Sequence, residues 1–168
     1  MNYKFLATIF ISVLLFNNAF SQKATVLTTE ELKNYVSQFN EEDKEEAVVN
    51  LVPNAQSFEW LASNIPLFDA PDSAIERVYY FRWWSYRKHI KQTPEGHVIT
   101  EFITPANHAG KYNAISSGLS HQINEGRWLH NQQYVKDYIN FWFFIDPKHK
   151  AQRFHAFSSW IHHTLYDY

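Results

Sequence analysis

Apolar residues recur at helical spacing along most of this chain. Leu32, Tyr35, Val36 and Phe39 stand at i, i+3, i+4 and i+7, one apolar face of a helix. Ahead of them Thr28-Thr29-Glu30-Glu31 reads as a capping box, a Thr hydroxyl accepting from the third backbone N–H while Glu31 reaches back. The acidic run Glu41 to Glu46 opens a second helical stretch through Ala47, Val48, Val49 and Leu51, stopped near Pro53. Ala55 to Asn64, carrying Phe58, Trp60 and Leu61, forms a third. Ile65-Pro66-Leu67-Phe68 is extended, because the residue before proline avoids the helical region. The clearest helix runs from Pro71-Asp72 to about Lys91, apolar or aromatic nearly all round from Val78 to Tyr86, so that it is covered on several sides. Pro94-Glu95-Gly96 is a turn, His97 to Ile103 alternates weakly as a short strand or extended loop would, and Pro105 to Gly110 is a loop. Helices are predicted again over Tyr112 to about Glu125 with Gly126 as the C-terminal stop, over Asn131 to Ile145 on the stripe Tyr134, Tyr138, Phe141, Trp142 and Ile145, and from Gln152 to the last residue through Phe154, Phe157, Trp160, Ile161 and Leu165. The period is still running at Tyr166-Asp167-Tyr168, without cap, glycine or polar tail, and a truncated product is expected on that ground.

The first segment breaks this pattern. Lys4 precedes the nearly unbroken apolar run Phe5 to Phe16, and Ala19-Phe20-Ser21 sets small residues where a signal peptidase reads. Residues 1–21 are therefore expected to be a cleaved signal peptide and 22–168 the exported domain, in the periplasm or outside the cell. A dozen apolar residues are too few to span about 30 Å of hydrocarbon, so no stable membrane span is expected after cleavage. Zero cysteines among 168 residues exclude a disulfide scaffold, an iron–sulfur cluster and a thiol nucleophile. A net charge of −2 gives no reason to expect nucleic acid as a partner.

Motifs narrow the chemistry mostly by exclusion. His162-His163, with His149 and His155 nearby, attracts a metal reading. Adjacent helical positions point about 100° apart, however, and the HExxH arrangement is absent, so no metal site is expected. Ser116-Ser117-Gly118 lacks the strand–turn–helix setting of a nucleophilic serine, and no glycine-rich phosphate loop occurs, so no cofactor is expected. Two clusters remain. Tyr80-Phe81-Arg82-Trp83-Trp84-Ser85-Tyr86-Arg87-Lys88-His89 is most simply a buried helix, yet aromatic faces beside fixed Arg donors are also what a sugar site uses. Ala109-Gly110-Lys111-Tyr112-Asn113 and Glu125-Gly126-Arg127-Trp128-Leu129 are a helix entry and exit, or two polar ends of a helix facing a cleft.

Together with Asn64-Ile65-Pro66-Leu67-Phe68-Asp69, these clusters resemble the N-terminal part of mannosylglycerate-hydrolase-like glycoside hydrolases, relatives of trehalases, from about Phe58 to Phe144. The resemblance implies a mainly α chain, an incomplete (α/α)6 toroid of helical hairpins with one short extended segment near 97–104. It implies a carbohydrate partner and the sugar-contact residues Arg82, Trp83, Trp84, Lys111, Asn113, Arg127 and Trp128. Arg127 and Trp128 have a structural alternative, locking the helix exit through an Arg127–Glu125 pair. Asn107-His108 stands where the family pattern places an aromatic residue. Such hydrolases use a carboxylate pair about 6.5–9.5 Å apart to invert the sugar centre. Neither member has a matching position here, so no catalytic residue is assigned and the chain alone is expected to be inactive. Two other readings stay open: a small exported carbohydrate-binding or interaction module without catalysis, and a self-sufficient small enzyme using Glu101 or Glu125 as acid.

Overall fold

The computed structural model describes residues 26–144 and 160–168; the expected leader, Ile145 and the 145–159 stretch lie outside them. Helix α1 (Glu30–Glu42) buries the predicted face Leu32, Val36 and Phe39 against helix α3 (Ser73–His89). The capping box does not form: Thr29 makes no side-chain cap, and the Glu31 carboxylate turns towards Asp69 and Glu76 instead of back to its own helix start.

The helix expected over Ala47 to Leu51 is absent, and its polar groups have another task. Glu46 takes a left-handed φ of 32° and its carboxylate accepts the Asn54 backbone N–H at 2.8 Å. Asn50 donates to the Lys88 carbonyl, and the Val52 carbonyl accepts from Arg87. Arg87 is fully buried and Lys88 is 7% exposed, so an irregular segment that wraps their donors offsets a desolvation that a regular helix would leave unmet. A 3-10 turn (Asn54–Gln56) leads into α2 (Ser57–Asn64), after which Ile65 is extended as expected before Pro66. Tyr79 and Tyr80 donate to the Pro66 and Phe68 carbonyls at 2.7 Å each, pinning that extended segment to α3.

Helix α3 (Ser73–His89) starts at Asp72, whose carboxylate accepts the Ala74 N–H at 2.9 Å. It ends at His89, earlier than predicted, because Ile90 turns extended and begins a strand with no break. β1 (Ile90–Thr93) pairs antiparallel with β2 (Gly96–Ile99), Ile90 opposite Ile99 with both buried. The pairing partner within 90–93 was hidden in the helical pattern. The hairpin packs on α5 (Gln133–Phe143), where Asp137 accepts the His97 backbone N–H at 3.0 Å and meets its Nδ1 at 2.7 Å.

Between hairpin and α5, a 3-10 turn (Lys111–Asn113) holds Tyr112 and Asn113 at left-handed φ of 59° and 65°. Helix α4 (Leu119–Gly126) therefore begins seven residues later than Tyr112, the predicted start. Asn113 explains the delay: its side-chain oxygen accepts the Ala106 N–H at 3.0 Å and its amide donates to the Phe102 carbonyl, so it ties the 102–106 loop. Gly126 is the last helical residue and not a left-handed stop, since Arg127 after it is still in the right-handed region. A Cβ at Gly126 would collide with the Tyr86 hydroxyl and stand 2.6 Å from Val135 Cγ2, so glycine permits α3, α4 and α5 to close together. Helix α6 (Ile161–Asp167) lies on α4, with Asn124 donating to the Thr164 hydroxyl at 3.1 Å. The fold of the described residues is mainly helical, with one two-stranded hairpin, and no helix among them is long and apolar enough to cross a membrane.

Candidate functional site

The C-terminal half of α3 is not apolar all round. Arg82, Ser85, Tyr86 and His89 stand at i, i+3, i+4 and i+7 and line one wall of a cleft of about 310 Å³. The opposite wall repeats the spacing with Gly118, His121, Gln122 and Glu125 at the start and along α4. Ile99 and Glu101, at the exit of β2, close one end, and Phe81 stands at the rim 41% exposed.

Buried tyrosines fix the walls. Tyr86 donates to the Gln122 carbonyl at 2.8 Å and Tyr138 to the Gln122 side-chain oxygen at 2.6 Å. Gln122 then directs its amide to the Thr100 carbonyl at 3.2 Å, so its orientation is determined at three points. Burial holds the Tyr138 hydroxyl far above its ordinary range, which leaves it a donor at any physiological pH. His89 Nδ1 lies 2.8 Å from the same Thr100 carbonyl, and a carbonyl only accepts. The proton is therefore on Nδ1, with Nε2 left as acceptor. Burial, with Arg82 and Lys88 adding to it, lowers the His89 imidazole below its ordinary value, so the ring is neutral at pH 7.

Two carboxylates share the cleft in different settings. Glu125 is gripped by Arg82 in a fork, Nε to Oε1 at 3.1 Å and Nη2 to Oε2 at 2.6 Å. Arg82 is 64% exposed at its side chain, so the pair contributes little to stability and mainly orients Glu125. Among the described residues Glu101 makes no ion pair with a basic residue; burial raises its carboxyl above the ordinary value, with His121 opposing. The folded state thus binds the Glu101 proton more tightly than the unfolded chain does. Stability from this group is full below the ordinary carboxylate value of 4.5 and is lost as pH rises through the raised folded value. Glu101→Gln should raise the melting temperature at pH 7 and leave it near that of the parent at about pH 4; a variant less stable than the parent at pH 7 would contradict this sign.

Arg82 alone of the seven sequence-derived contact residues lines this cleft. Trp83 and Trp84 are 4% and 6% exposed in the core, where Trp84 Nε1 donates to Asn40 at 2.8 Å. Lys111 pairs with Glu95 on the hairpin turn, and Asn113 serves the 102–106 loop. Arg127 and Trp128, with Asp167 and Tyr168, line a separate and shallower depression, Arg127 over the Trp128 ring at 5.4 Å. The Arg127–Glu125 pair does not form, because residues two apart on a helix face away from each other; Glu125 meets Arg82 instead, and Arg127 is 3.8 Å from Asp167. His121 and Gln122 went unnoticed in the sequence, and Ser85 and His89 entered only as members of the aromatic cluster. The signal that finds them is the polar i, i+3, i+4, i+7 stripe on each of two neighbouring helices. His163 pairs with Asp167 at 3.0 Å, i to i+4, and among the described residues the one three-ligand group close enough for a metal lies far from these histidines in sequence, at Glu31, Asp69 and Glu76.

Acceptors from two carboxylates and His89, donors from Arg82 and an apolar rim are the complement of a hydroxyl-rich ligand with C–H faces. No protein-family model matches the chain, and no curated protein does. Among solved structures the chain is similar to one described as a sialidase, with 37% sequence identity and a TM-score of 0.77. The similarity extends over 83% of this chain but only 13% of that one, so this chain corresponds to a small part of the sialidase it is similar to.

Proposed function

We propose that this chain is the N-terminal portion of an exported glycoside hydrolase, built on the plan of an (α/α)6 toroid, and that its own cleft holds a saccharide without cleaving it. The reading rests above all on the similarity to a sialidase at 37% identity, which takes in most of this chain and about an eighth of the other. In it, the carboxylate pair that hydrolyses the glycosidic bond is supplied from outside this chain. Glu101, Glu125 and His89 accept from sugar hydroxyls, Arg82 donates to them, and Phe81 packs on a C–H face. The exposed apolar side chains Ile75, Val78 and Phe81, at 56%, 59% and 41% along one side of α3, suit a surface that further helices of the enzyme cover.

The self-sufficient enzyme stays as a second reading because Glu101 carries a carboxyl raised by burial, the property of a general acid. Incubating the purified chain with aryl glycosides and with neutral and sialylated oligosaccharides separates the two. Saturation-transfer NMR should show binding, with no turnover. Turnover that disappears in Glu101→Gln would establish the small enzyme and sink the portion reading. Export is checked on the same preparation, since the mature protein should begin at Gln22 by intact mass.

A further inference from the structure

Outside the cleft, three acidic side chains converge from three separate elements. Glu31 lies in the first turn of α1, Asp69 ends the extended segment after Pro66, and Glu76 is in the first turn of α3. One carboxylate oxygen from each lies within 4.8 Å of the other two. Glu76 is 6% exposed; its Oε2 accepts from the Tyr35 hydroxyl at 3.0 Å, and its Oε1 is buried with no hydrogen-bond partner. A desolvated carboxylate oxygen without a donor is costly, and two further carboxylates beside it raise that cost. No basic side chain among the described residues forms an ion pair with any of the three; Arg77, next in sequence to Glu76, is taken by Glu42.

We infer that Glu31, Asp69 and Glu76 form a binding site for a divalent cation, calcium by preference, which joins α1 and α3 to the segment ending at Asp69. The donor set is entirely carboxylate oxygen, which suits hard cations and disfavours zinc and copper. Calcium binds oxygen at about 2.4 Å, so opposed ligands stand about 4.8 Å apart, and all three oxygens fit one coordination sphere. Magnesium wants a tighter octahedron at about 2.0–2.1 Å and keeps its waters. Glu31 and Asp69 are exposed, leaving water to complete the shell from the solvent side. The buried Glu76 oxygen then gains the partner that the protein itself does not supply.

The test is thermal unfolding of the full chain after EDTA treatment and dialysis, with calcium titrated calorimetrically alongside. At a hundredfold excess over its Kd, CaCl2 should raise the melting temperature by about 5–10 °C over ionic-strength-matched NaCl. MgCl2 should act more weakly. Asp69→Asn, at an exposed position, should fold normally and lose most of the shift; Glu76→Gln should lose it entirely and, without calcium, melt no lower than the parent. Equal melting in CaCl2 and NaCl with no binding heat overturns the site, as does a shift that Asp69→Asn retains. Equal response to magnesium overturns the calcium assignment. Acidification to about pH 5 that reproduces the full shift without calcium shows a proton shared between carboxylates, and also overturns it.

Discussion

Trp84→Ala should lower the stability of the chain by about 3–5 kcal/mol, the usual cost of emptying a buried aromatic site. Trp84 is 6% exposed and stacks on Phe81 at 5.8 Å with an interplanar angle of 23°; Phe39 lies against it at 5.9 Å. Its face also carries two cations, Arg87 at 5.1 Å and Lys88 at 5.0 Å. Removing the indole opens a cavity, strips both buried cations of a π face and deprives Asn40 of the Nε1–H donor. Urea unfolding followed by far-UV circular dichroism measures the loss, and Trp84→Phe, which keeps most of the volume, should lose about half as much. Saccharide affinity of the folded fraction should stay within about twofold. If Trp84 instead contacts a sugar, the signature reverses: affinity falls while the unfolding midpoint hardly moves.

Arg82→Met should show that reversed signature. The guanidinium is 64% exposed and its partner Glu125 lies at the surface of the cleft, so stability should change by no more than about 0.5 kcal/mol. The cleft, however, loses its one guanidinium donor, and Glu125 loses the fork that orients it. A charge-assisted hydrogen bond contributes about 1.5–3 kcal/mol, so affinity for an oligosaccharide that saturates the parent should fall about 10- to 100-fold in isothermal titration. Arg82→Lys should recover only part, because an ammonium keeps the charge but not the bidentate geometry. Unchanged affinity in Arg82→Met would remove this cleft from the proposed function.

These two variants mark where sequence periodicity stops being informative. Neighbouring residues of one aromatic helix, Arg82 and Trp84, have opposite fates, since α3 packs on α1 along one side and faces α4 across the cleft along another. The composition of that helix announces burial and aromatic packing equally on every side. Only its neighbours decide which positions stay open. Glu101 and Glu125 were visible as candidate acids, but nothing in the chain order says that Arg82, 43 residues before Glu125, meets its carboxylate.

What the amino-acid order determined by itself is what depends on local physics. The face Leu32, Val36 and Phe39 of α1, the extended Ile65-Pro66 junction, the Asp72 start of α3 and the Pro94-Glu95 turn all follow from i, i+3, i+4 periodicity and from proline and capping sterics, which act within a few residues. Tertiary structure decided the rest. The 46–53 segment is irregular because Arg87 and Lys88, more than 30 residues away, require the Val52 carbonyl and the Glu46 carboxylate as acceptors. Ile90 leaves the helix because Ile99 pairs with it, and Gly126 is glycine because Tyr86 and Val135 come too close for a Cβ. In each case the controlling energy is the satisfaction or exclusion of a group distant in sequence, and a local pattern holds no record of its partner.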